Sequence, residues 1–109
     1  MTTEALAYAT EIKRQIVAQS PMALMSYAAQ KFVAHSENDN RRAALEFRVS
    51  GFKHKGLIRI SLGWNDLYTV EAIKVRKGEV KVCGSRDEVY FDELVEVLDN
   101  LIEGKQYAR

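Results

Sequence analysis

The sequence predicts an α+β fold: two N-terminal helices, a four-stranded antiparallel meander in the order 1-2-3-4, and a C-terminal helix, with the helices packed on one face of the sheet. Three observations predict it. Residues 43 to 83 alternate apolar and polar side chains with a period of two, which places every second side chain on one face of a pleated ribbon. The connections within that stretch are too short for a parallel crossover, so neighbouring strands must run antiparallel. Both flanks place apolar residues at helical spacing.

The first strand is read from Leu45, Phe47 and Val49 alternating with Glu46, Arg48 and Ser50. A short polar connection, Lys53-His54-Lys55-Gly56, leads to Ile58, Ile60 and Leu62 alternating with Arg59, Ser61 and Gly63, a hairpin pattern. Asn65-Asp66 is turn-forming. In the third strand Tyr68 and Val70 share a face, and Ile73 and Val75 continue it only if Glu71-Ala72 together fill one position, which predicts a β-bulge. Lys77-Gly78 turns the chain into the fourth strand, where Val80 and Val82 alternate with Lys81 and Cys83.

Before the sheet, Leu6, Ala9, Ile12, Ile16 and Val17 form the apolar stripe of a helix over residues 4 to 19. Ser20-Pro21 interrupts it and suits the start of a second helix, Ser20 as the cap and Pro21 in the first turn, where a missing N–H costs nothing. Met22, Met25, Ala29, Phe32 and Val33 give that helix its stripe, ending near His35. Residues 36 to 40 form a polar loop. After the sheet, residues 84 to 91 are ambiguous: Val89-Tyr90-Phe91 favours a strand, whereas Ser85 and Glu88 resemble a capping box, and a loop or short extended piece is expected. Leu94, Val95, Leu98, Leu101 and Ile102 then mark the last helix, with Asp92, Glu93, Glu96, Asp99 and Glu103 on its other faces and Gly104 as its C-terminal cap.

At 109 residues the chain fits one domain, 1 to 109, with enough length for a core without a metal or disulfide staple. Its single cysteine, Cys83, excludes an intramolecular disulfide and any multi-cysteine zinc site. The first residues lack a basic leader and no apolar run approaches a membrane span, so a cytoplasmic protein is expected. Net charge is +1, but residues 41 to 81 hold ten Lys or Arg against four acidic residues. The sheet is basic and the last helix acidic.

Four segments, in order, resemble a group of small uncharacterised proteins carried by bacteriophages and other mobile elements: Ala29-Gln30-Lys31-Phe32-Val33-Ala34, Leu67-Tyr68-Thr69-Val70-Glu71, Val75-Arg76-Lys77 and Val89-Tyr90-Phe91-Asp92-Glu93-Leu94. The resemblance spans roughly residues 22 to 94. In that group an aromatic residue and a glycine commonly follow the Val-Glu pair, where this chain has Ala72 and Ile73, and the final helix also differs. It implies a phage or mobile-element setting and transfers no catalytic residue.

Chemistry-bearing residues are few. None of the nucleotide-binding, hydrolase or metalloprotease motifs occurs, so no enzyme, cofactor or metal centre is expected. His35 with Glu37 and Asp39 has the residue types for a divalent metal but sits in a solvated loop. His54, between two lysines in a turn, is expected on the surface. Cys83 lacks an activating neighbour in the sequence and reads as inert.

The wet sheet face offers more. On one parity lie Arg48, Arg59, Lys74 and Lys81, one from each strand, with Phe52 and Trp64 near strand ends where they can stack on bases. Such a face suits the backbone of single-stranded DNA or RNA. It equally suits simple solvation, with Glu46, Glu71 and Glu79 pairing the cations across the sheet. Opposite charges on the sheet and the last helix also suit a homodimer, one subunit's helix docking on another's sheet or edge strands pairing across a two-fold axis. The leading expectation is a non-enzymatic interaction module with a protein partner not identified by the sequence; nucleic-acid binding is the alternative.

Overall fold

The computed structural model describes residues 3 to 104. Helix α1, Thr3–Gln19, buries Ala5, Ala9, Ile12 and Ile16, while Leu6 and Val17 of the expected stripe are exposed. The buried set is a narrower arc of the same helix, because a single face meets the sheet.

The second expected helix is a single turn, α2, Ala23–Ser26. Ala28 then takes a left-handed conformation, φ 53°, and the chain enters a strand, β1, Gln30–His35. Met22 and Met25 are exposed, so the apolar spacing there is not a helical core stripe. The sheet therefore has five strands rather than four. After β1 come β2, Ala43–Ser50; β3, Lys55–Leu62; β4, Tyr68–Arg76; and β5, Glu79–Val89. They pair antiparallel in the order β1-β2-β3-β4-β5, so the predicted meander stands with one strand added at its start. The ambiguous residues after Gly84 belong to β5 as far as Val89.

The last helical segment is continuous but irregular. A 3₁₀ turn, Phe91–Glu93, leads into α3, Leu94–Leu98, and a wider π turn, Asp99–Glu103. Glu93 accepts the Tyr90 N–H through its side chain, so the capping interaction sits five residues after the predicted one. Gly104 ends the segment with φ 75°, as its position predicts.

Helix α1 lies over β1 and β2, and α3 rests against β5 and α1. Between them and the sheet, Phe47, Ile58, Ile60 and Val70 meet Ile12, Ile16, Leu94, Leu98 and Ile102, all of them fully enclosed. Polar contacts fix how the helices sit. The Gln19 side chain donates to the Phe91 carbonyl and accepts the Val95 N–H at 3.2 Å, linking the end of α1 to the start of α3. The Tyr27 hydroxyl donates to Asp99 at 2.5 Å within the core. Asp99 is thus buried, contrary to its expected place on a wet helix face.

Tyr68 donates its hydroxyl to Gln15 Oε1 at 2.8 Å across the α1–β4 contact. Burial raises the Tyr68 pKa, the Glu11 charge adds to this, and the Gln15 bond opposes it. Because the folded-state value is raised, this contribution is present below the ordinary tyrosine value of 10.0 and is lost as pH rises through and beyond it. Urea denaturation on either side of that pH should show stability falling, and Tyr68→Phe should flatten the fall. An equal alkaline loss in that variant would remove Tyr68 as its cause.

Candidate interaction surface at one end of the sheet

The register of the strands decides which side chains share a face. Leu45, Phe47 and Val49 of β2 face the helices, opposite Ile60, Ile58 and Gly56 of β3; Ile60 and Ile58 in turn oppose Val70 and Ala72 of β4. Ala44, Glu46 and Arg48 face away, opposite Ser61, Arg59 and Leu57, which meet Thr69, Glu71 and Ile73. The pairing of β3 with β4 runs without a break, so no bulge lies at Glu71-Ala72. The irregularities fall instead between β4 and β5, where Ala72↔Gly84 is followed by Ile73↔Val82 and leaves Cys83 as the extra residue. A second shift lies between the Tyr68 and Val70 pairings.

This changes the predicted basic face. Arg48 and Arg59 lie on the open face. Lys74 and Lys81 lie on the helix side, opposite each other across β4 and β5. The four cations do not form one track. On the open face Arg59 donates to Glu46 through Nε at 3.2 Å and through its terminal nitrogen at 2.9 Å, and His35 Nε2 lies 3.3 Å from the same carboxylate. Arg41 joins this cluster: burial and the neighbouring Arg59 lower its pKa, with Glu71 and Glu46 opposing. Around Glu46 the open face is therefore a cluster of matched charges, while Arg48 on the same face is exposed and without an ion pair among the described residues.

The two aromatic residues are also separated. Phe52 lies in the turn between β2 and β3, and Trp64 in the turn between β3 and β4. They stand at opposite ends of an eight-residue strand, a separation of about 26 Å at about 3.3 Å per residue. Trp64 is held in place: its ring lies under the Arg42 guanidinium, 5.0 Å from centroid to cation, and its indole N–H donates to the Asn38 carbonyl at 3.1 Å. Arg42 Nε is 3.4 Å from Asp66.

At the Phe52 end, several features coincide. Pairing of β3 with β4 stops at Leu57↔Ile73, so, among the described residues, 74 to 81 pair only with one another. They form a two-stranded ribbon that projects past the rest of the sheet, closed by Lys77 and Gly78 at φ 52° and 81°. Both values are positive, the backbone a two-residue hairpin turn requires, and Gly78 takes its own without strain. One face of the ribbon carries Val75 and Val80, directly paired, with Val82 next to them; they are 57%, 68% and 49% exposed. The other carries Lys74 and Lys81.

Beside the ribbon is the 51–54 turn. The Gly51 N–H donates to the His54 carbonyl at 2.9 Å, while the Lys53 and His54 N–H groups both donate to the Ile102 carbonyl, at 2.8 and 3.0 Å. Glu103 accepts the Phe52 N–H at 3.3 Å. The end of the last helical segment thus anchors this turn. His54 is 3% exposed, its Nε2 3.0 Å from the Leu57 carbonyl, so it is a buried structural residue rather than a surface one. Phe52, by contrast, is 92% exposed. Lys53, His54, Lys74, Cys83, Gly84 and Leu101 line one small hollow, which joins turn and ribbon into one surface.

Among the described residues, no group of three or more His, Cys, Asp or Glu is placed to hold a metal ion, and no helix is long and apolar enough to cross a membrane. His35 faces Glu46 rather than gathering Glu37 and Asp39 around a cation. Fold and surface together define an antiparallel α+β sheet with a projecting ribbon at one end. No protein-family model, curated protein or solved structure matches the chain.

Proposed function

We propose that the chain is a non-enzymatic interaction module that works from the ribbon end of the sheet and pairs with a second copy of itself there. The observation that carries this reading is the valine face of the ribbon. Val75, Val80 and Val82 project from a two-stranded element with no helix of the described residues over it, and an apolar patch held out in this way marks an interaction surface. Two-fold pairing of the ribbons buries the valines of both copies and leaves the lysine faces outward. The matched charges around Glu46 reduce the cationic surface that the open sheet face offers an acidic helix, so the valine contact replaces the helix-on-sheet arrangement as the preferred one.

The non-enzymatic part of the reading is supported by the ordinary structural contacts of both histidines. A mobile-element setting rests on the resemblance of residues 22 to 94. A cytosolic home is part of the same proposal, consistent with a lone exposed thiol at Cys83.

Sedimentation velocity over a wide concentration range tests the self-association. The wild type should show a concentration-dependent dimer that persists at high salt, because apolar burial is not screened. Val75→Ser with Val80→Ser should be monomeric at the same concentrations and melt like the wild type. A wild-type monomer throughout, or a dimer that dissociates in salt, would overturn the valine contact.

A further inference from the structure

We infer that the cationic side of the same end binds single-stranded nucleic acid, with Lys53, Lys74, Lys77 and Lys81 facing phosphates and Phe52 stacking on a base. This inference rests on the reading of the ribbon end as the working surface, and supplies a partner class for it.

Charge placement is the first argument. Lys74 and Lys81 are directly opposed across two strands, an arrangement that costs stability unless an anion lies between or above them. Their neighbours in register are Ala72↔Gly84 on one side and Arg76↔Glu79 on the other, so the single acidic residue of the ribbon already faces an arginine. Several cations elsewhere have partners, Arg14 with Glu11, Arg42 with Asp66, Arg59 with Glu46, and Lys13 over the Phe32 ring at 4.1 Å, while Lys31, Arg48 and Lys55 stand apart without forming such a cluster. Among the described residues, no ion pair involves Lys53, Lys74, Lys77 or Lys81. Unpaired cations converging on one surface attract a polyanion.

The second argument is Phe52. A phenyl ring 92% exposed gains nothing from the core, yet its turn is fixed by three backbone N–H bonds to the end of the last helical segment. The ring is presented rather than merely loose. An aromatic side chain next to lysines is the combination that tracks a single strand, since an unstacked base offers a π face and its phosphates offer charge. A duplex hides its bases from such a ring. Glu103 lies under the turn and opposes an anion there, but its carboxylate accepts the Phe52 N–H and is thereby held in place.

The test is fluorescence anisotropy with a labelled mixed-sequence oligonucleotide, single-stranded and as a duplex, with polyglutamate as an unstacked polyanion control. Trp64 stands at the far end of the sheet, so the label belongs on the oligonucleotide. Four phosphate contacts predict affinity for the single strand falling about fifty-fold between about 50 and about 200 mM salt. Lys74→Ser with Lys81→Ser should weaken binding and roughly halve the salt slope, and Phe52→Ala should weaken it about five- to 150-fold with little change in slope. All three positions are exposed, so circular dichroism melting should confirm intact folding.

No binding at low salt, equal binding of polyglutamate, duplex preference with no effect of Phe52→Ala, or an unchanged salt slope in the lysine variant would each overturn the inference. If the wild type still self-associates through its valines, the interaction-module reading survives that failure. If it does neither, both fail together.

Discussion

Phe47→Ala is expected to destabilise the fold by about 3–5 kcal/mol, the range for truncating an enclosed phenylalanine. Phe47 is fully buried in the central part of β2, and its ring packs against that of Phe32 with centroids 5.2 Å apart. It lies between Ala34's strand on one side and Ile58 on the other, beneath the helices, so its removal opens a cavity that no single neighbour can fill. The loss comprises buried apolar area, the ring pair and the unfilled volume. Urea denaturation at constant slope measures it directly. A loss under about 1 kcal/mol would mean that the layers collapse onto the vacancy, and that the core is less closely fitted than its burial implies.

Gly51→Ala should produce the second large effect, at least about 1–3 kcal/mol from overpacking, together with weaker oligonucleotide binding. A Cβ at residue 51 would fall on the Ile102 side-chain methyl and 2.5 Å from the Ile102 carbonyl oxygen. That carbonyl accepts the Lys53 and His54 N–H groups. Making room for the methyl separates the turn from the helical end, loosens Phe52 and exposes His54. The double readout separates this account from simple destabilisation. Phe47→Ala at a temperature where it remains folded should retain binding, whereas Gly51→Ala should lose it while folded. Wild-type stability and binding in Gly51→Ala would contradict the close approach.

The inner strands were legible in the sequence because β2, β3 and most of β4 meet helices on one face only, and that asymmetry imposes strict alternation. The edge strands were legible only in part, β5 as far as Cys83 and β1 not at all. β1 carries Lys31 at φ 57° and a register shift before Val33, which break its alternation and let Phe32, Val33 and Ala29 mimic a helical stripe. β5 shows its period only at Val80 and Val82; from Cys83 on, two register shifts, Glu88 at φ 53° and nearly continuous exposure leave no apolar alternation to read. Irregular, charged edges of this kind also discourage uncontrolled strand pairing.

The candidate site failed to read for a related reason. Ile73 is apolar like Tyr68 and Val70, which suggests a shared face, yet it lies on the open face, buried beside Leu57 and Val82. A bulge at Glu71-Ala72 would turn Lys74 to the open face; with the β3–β4 pairing unbroken, Lys74 lies on the helix side. His54 and Asp99 were misplaced because their surroundings come from residues distant in sequence, Ile102 near the His54 turn and Tyr27 beside Asp99. Phe52, Lys74 and Lys81 lie around the ribbon end, whereas Arg48, Arg59 and Trp64 lie elsewhere, so the six residues do not share one face.

The most direct test of the ribbon end as the working surface is a backbone amide NMR map of the ¹⁵N-labelled protein, recorded on dilution and on addition of a single-stranded oligonucleotide. Dilution should shift amides of residues 73 to 82, and the oligonucleotide should shift those of residues 51 to 55 together with the lysine face of the ribbon. Shifts centred on Arg59 and Glu46, or on the Trp64 turn, would contradict the account and return the site to the open face or the far end.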